Sequence, residues 1–65
     1  LYEDAIADYS KAVKIVPAYV VAFYNRGNTY AAIDQYQKAT EDYDKTLQLA
    51  PPPYIGLQQQ GHSLL

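Results

Sequence analysis

The chain has no cysteine, no methionine and no tryptophan, and only one histidine, one phenylalanine and three glycines among its 65 residues. Without cysteine there is no disulfide and no thiolate metal site. The lone His62 cannot supply the several ligands a structural metal needs. Both staples are thus closed to a chain so short that it buries only about 60% of its unfolded surface. The longest apolar run, residues 15–24, is ten residues long and contains Pro17. A helix that crosses a membrane needs about 20. No charged segment leads into an apolar one, so no signal peptide is expected within this stretch. The net charge is −2 and the five basic residues are scattered, so the basic stripe of a nucleic-acid binder is missing.

What the chain does have is helical periodicity. Tyr36, Ala39, Thr40, Tyr43, Thr46, Leu47 and Ala50 recur at steps of three and four. They make one stripe of a helix with about 3.6 residues per turn. Gln37, Lys38, Glu41, Asp44, Lys45 and Gln48 fill the other side, with Glu41 four residues before Lys45 as a helical ion pair. Pro51 closes this helix of residues 36–50. A preceding helix over residues 20–33 carries Phe23, Gly27 and Tyr30 on one face. Glycine inside a helix costs about 1 kcal/mol against alanine. Close approach of a neighbouring helix is the expected compensation at Gly27. Asp34 and Gln35 form the turn between the two, aspartate being tolerant of left-handed backbone.

The flanking stretches repeat the halves of this unit. At an offset of 34 residues Tyr2 meets Tyr36, Ala5 meets Ala39, Asp8 meets Asp42 and Tyr9 meets Tyr43. Lys11 likewise meets Lys45, Pro17 meets Pro51 and Gly27 meets Gly61, while Val13/Leu47, Ile15/Leu49 and Phe23/Leu57 are near matches. A helix–turn–helix unit of this period, with Phe23, Gly27, Tyr30, Ala39, Tyr43 and Pro51 in order, resembles the tetratricopeptide repeat. The first half-copy supplies Ala5, Tyr9 and Pro17, and the last supplies Leu57, Gly61 and Leu64. Arg26 and Gln60 stand where that family usually has leucine, and Thr46 where it has a small apolar residue.

The resemblance implies an all-α chain of about four antiparallel helices, stacked as a right-handed α-solenoid. Residues 1–17 are then the second helix of a preceding repeat, 18–51 a full repeat, and 52–65 the first helix of a following one. The first of these begins inside a repeat, so a piece of a longer array is expected. Along it Tyr2, Ala5, Ile6, Tyr9, Ala12, Val13 and Val16 form the apolar stripe. Core packing is expected of Tyr2, Tyr9, Tyr30, Tyr36 and Tyr43.

Nothing in the pattern points to catalysis. Asp4 and Asp8 share a hydrophilic helix face and are expected to be solvated. Ser10 and Ser63 lack a nucleophile elbow, and Gly56 and Gly61 lack the strand and the lysine of a phosphate loop. No enzyme activity, cofactor or metal is expected. The family resemblance instead implies a protein-interaction module in which first helices line a concave surface. The face opposite Phe23–Gly27–Tyr30 carries Val21, Tyr24, Asn25, Asn28 and Ala31, and the matching face of the last helix carries Gln58, Gln59 and His62. Tyrosine offers area at low entropic cost and asparagine both donates to and accepts from a peptide backbone. A protein or peptide partner is therefore expected there, with no nucleic acid and no membrane. One subclass of the family grips a C-terminal carboxylate with Lys, Arg and Asn side chains. Asn25 matches one such asparagine, but Tyr24 and Gln58 stand where the lysines would be, so that ligand is not expected. The alternative is self-association, with unmatched helices at the two ends stacking head to tail.

Overall fold

The computed structural model describes residues 1–51, which form three helices: α1 (Tyr2–Ile15), α2 (Val20–Ala32) and α3 (Tyr36–Leu49). The fourth helix expected in residues 52–65 lies outside the described residues. Helix α2 packs on both of its neighbours, and α1 and α3 do not pack on each other.

Each helix stops where its local chemistry requires. Glu3 and Asp4 lie in the first turn of α1 and Lys14 in its last, which suits the helix dipole. Val16 then turns to extended backbone (φ −123°, ψ 91°) ahead of Pro17. Helix α2 ends in a Schellman turn: Gln35 N–H donates to the Tyr30 carbonyl at 2.9 Å and Asp34 N–H to Ala31 at 3.1 Å. Asp34 occupies the left-handed position of that turn (φ 63°), the place glycine usually takes, as expected of this aspartate. Its carboxylate accepts a hydrogen bond from the Tyr36 hydroxyl at 2.9 Å.

The core is built on small residues. Ala22, Gly27 and Ala39 are buried together with Phe23, and so is the carboxylate-bearing Asp42. Gly27 sets the distance between α2 and α3. A methyl group in its place would lie 2.9 Å from Tyr43 Cε1 and 3.2 Å from Asp42 Cβ.

The buried line of α3 is rotated from the expected stripe. It runs through Ala39 and Asp42, flanked by half-buried Tyr43, Thr46 and Leu49. Tyr36 (62% exposed), Leu47 (47%) and Thr40 lie on the open edge, so Tyr36 is not a core residue. The cause is geometric: α2 approaches α3 at Gly27, over Asp42 and Tyr43, to one side of the apolar stripe. Tyr2, in the first turn of α1, is also exposed. Tyr9, Tyr30 and Tyr43 are half-buried. Glu41 and Lys45 do not form the expected ion pair; both side chains stay in water, where such a pair gains little.

Gly27→Ala provides a test of the sign of the packing term. In an open helix it stabilises by about 1 kcal/mol. Here overpacking is expected to cost about 1–3 kcal/mol, so the net effect is a lowered thermal midpoint. A raised midpoint would show that α3 is free to move away.

Candidate functional site

Two neighbouring residues of α3 pass over Gly27 and reach opposite sides of α2. On one side Asp42 meets Arg26. The guanidinium donates through Nε to Oδ2 at 2.8 Å and through Nη2 to Oδ1 at 2.7 Å, a two-pronged pair. Nη1 donates to Ser10 Oγ on α1 at 3.1 Å. The side chains of Arg26 and Asp42 are only 17% and 6% exposed. Arg26 also lies over the rings of Phe23 (5.5 Å) and Tyr30 (5.8 Å). It thereby ties α1 and α3 together through α2. Its hydrogen bonds to Asp42 hold the guanidinium pKa above its ordinary value, against the opposing effect of burial. Stability carried by that shift is present across the neutral range and is lost only as pH rises through the raised pKa, in strong alkali.

The family resemblance made Arg26 a misfit at a leucine position, and the repeat matched Asp42 only to Asp8, with no partner for either. The signal was present: Arg26 is the one charged residue of α2, and Asp42 falls in the phase of the buried line beside Ala39. What periodicity lacks is the distance between the two helices.

On the other side of Gly27 the Tyr43 ring lies across α2. Its hydroxyl donates to Asn28 Oδ1 at 2.5 Å, and its ring meets Tyr24 with centroids 6.0 Å apart and planes tilted by 50°. Val21 (58% exposed), Tyr24 (51%) and Asn28 form an open stripe, with Asn25 and Ala31 half-buried at its margin. Thr29 Oγ1 donates back to the Asn25 backbone carbonyl at 2.8 Å, and the Asn25 side-chain amide has no hydrogen bond among the described residues. Asn28, by contrast, is not a free amide, because its oxygen is already engaged by Tyr43. Gln58, Gln59 and His62 lie outside the described residues, as do Gly56, Gly61 and Ser63.

The candidates for chemistry stay apart. Asp4 and Asp8 are exposed, and Ser10 serves as an acceptor for Arg26. Among the described residues no three His, Cys, Asp or Glu side chains gather as a metal site. No described helix is long and apolar enough to cross a membrane.

The family model described as "TPR repeat" matches residues 2–34, and the one described as "Tetratricopeptide repeat" matches residues 20–52. The chain belongs to the tetratricopeptide repeat family. The two matched windows overlap on α2, the helix that packs against both others. Tetratricopeptide repeat protein 17 of Danio rerio is 39% identical over 51 residues, 78% of this chain and 4% of that protein. DnaJ homolog subfamily C member 7 of Homo sapiens is 39% identical over 46 residues, 71% of the chain and 9% of that protein. Small glutamine-rich tetratricopeptide repeat-containing protein 2 of Saccharomyces cerevisiae is 27% identical over 60 residues, 92% of the chain and 17% of that protein. The chain thus spans a small fraction of each of these relatives. No solved structure matches it. Tetratricopeptide repeats are generally non-catalytic and act in protein interaction.

Arg26→Leu would leave Asp42 buried and uncompensated, at an expected cost of about 3–5 kcal/mol. That approaches the whole stability of a small domain. The double change Arg26→Leu with Asp42→Leu is expected to recover most of the loss, since an apolar pair removes the stranded charge. Denaturant titration of the two variants checks both outcomes.

Proposed function

We propose that the chain is a non-enzymatic protein-interaction segment that holds an extended peptide, or an extended stretch of a partner protein, on the open face of α2. That face would be the concave side of a right-handed stack of repeats divided at residues 1–17, 18–51 and 52–65. The observation that carries the proposal is the Val21–Tyr24–Asn28 stripe, exposed although two helices pack on α2 and braced from beneath by Tyr43. The family's general role in binding proteins or peptides supports it. The offset of 34 residues extends the same face to Gln58, Gln59 and His62. A phosphate-rich or lipid partner is disfavoured, because the only cation of α2 is spent on Asp42.

A second proposal, self-association, is favoured by the open edge of α3 at Tyr36 and Leu47 and by exposed Ile15 and Tyr2 on α1. Light scattering behind size exclusion tests it. A mass that grows with concentration supports stacking, and a constant monomer mass removes it.

For the peptide proposal, a displayed library of random heptapeptides is selected on the full chain. Tyr24→Ala with Asn25→Ala is expected to weaken the selected peptides at least tenfold, as loss of a central aromatic contact costs about 1.4 kcal/mol or more. Unchanged affinity would place the peptide elsewhere.

A further inference from the structure

The geometry points to Tyr43 as a positioning residue that turns the Asn28 amide into a fixed hydrogen-bond donor, so that the open face of α2 receives a backbone carbonyl of an extended, uncharged peptide. This rests on the peptide proposal above and names the chemistry of its occupant.

An unconstrained surface asparagine offers a carbonyl acceptor and an NH2 donor, and rotates to show either one. At Asn28 one of the two is taken. The Tyr43 hydroxyl donates to Oδ1. A phenol is a better donor than acceptor, because its oxygen lone pair is delocalised into the ring, and an amide oxygen is a strong acceptor. The arrangement with Oδ1 toward Tyr43 is therefore the favoured one. It leaves the Nδ2 donors without a partner among the described residues.

Tyr43 is held in place to do this. Its Cε1 lies where Gly27 has no side chain, and its ring leans on Tyr24. The brace thus starts at the closest approach of α2 and α3 and ends at the exposed amide. The glycine serves the binding face as well as the packing.

The charge of the face fixes the class of occupant. Val21, Tyr24, Asn25, Asn28 and Ala31 are all neutral, and Arg26, the one charge of α2, is turned to Asp42 on the other side. A carboxylate would find no counter-charge on α2. An ammonium group would meet donors at Asn28. A peptide carbonyl meets a donor and brings no net charge to desolvate. The spacing also fits an extended chain. Tyr24 and Asn28 are four residues apart, a rise of about 6 Å along the helix. Alternate residues of an extended peptide are separated by about 6.6 Å. One side chain can rest on Tyr24 while the carbonyl two residues along meets Asn28.

The test uses the heptapeptides selected above and a double-mutant cycle of Tyr43→Phe and Asn28→Ala. Tyr43→Phe keeps the ring over Gly27 and removes only the hydroxyl. It is expected to leave the helical circular dichroism intact, to shift the Asn28 side-chain Cγ resonance, and to weaken peptide binding about 5- to 10-fold. In the Asn28→Ala background the same change is expected to have no further effect. Asn28→Asp, which replaces the donor with an anion, should weaken binding more than Asn28→Ala. The selected peptides should be poor in charged residues at their centres. Tyr43→Phe binding as the wild type, or weakening binding equally with and without Asn28, would overturn the assignment. If Tyr24→Ala still weakens binding in that case, the peptide proposal survives alone. If Tyr24→Ala is inert as well, both fall.

Discussion

The structure depends on the absence of a side chain at Gly27. With hydrogen alone on that Cα, α3 settles against α2 until Tyr43 and Asp42 lie 2.9 and 3.2 Å from where a Cβ would stand. Two consecutive residues of α3 are thereby driven to opposite sides of α2. One side becomes the core, closed by the Arg26–Asp42 pair, and the other becomes the open face braced by Tyr43. A methyl group at this position would press on both residues and strain both contacts.

Placing an ion pair at the junction of three helices has a physical consequence. A buried pair adds little net stability over an apolar one, because desolvation offsets most of the attraction. It differs in direction: the guanidinium must meet both Asp42 oxygens and Ser10 Oγ at once, which leaves α1 and α3 little freedom about α2. The buried residues around it, two alanines, Gly27 and one phenylalanine, are mostly small and non-directional in their contacts. Orientation in this bundle therefore comes from polar groups and close approach from small ones.

Asp8 and Asp42 are equivalent by the offset of 34 residues, as are Tyr9 and Tyr43. The contacts of Asp42 and Tyr43 come from α2: Arg26 lies against the first, and Gly27 and Asn28 receive the second. Equivalence in sequence fixes the phase of a residue on its helix, and the neighbouring helix supplies its contacts.

That separates what each level of description decided. Three helices, their ends at Pro17, Asp34 and Pro51, the left-handed aspartate in the turn and the repeat itself were all legible in the order of residues. Each follows from local backbone chemistry or from the projection of apolar side chains around one helix. The direction of the exposed α2 face was legible for the same reason. The tertiary structure alone decided that Tyr36 lies on the open edge of α3 and that Arg26 has a partner. It also engaged the oxygen of Asn28. These depend on how far apart and how rotated two helices sit, which the periodicity of either helix by itself does not contain. Here that distance is set where Gly27 lets Asp42 and Tyr43 come close.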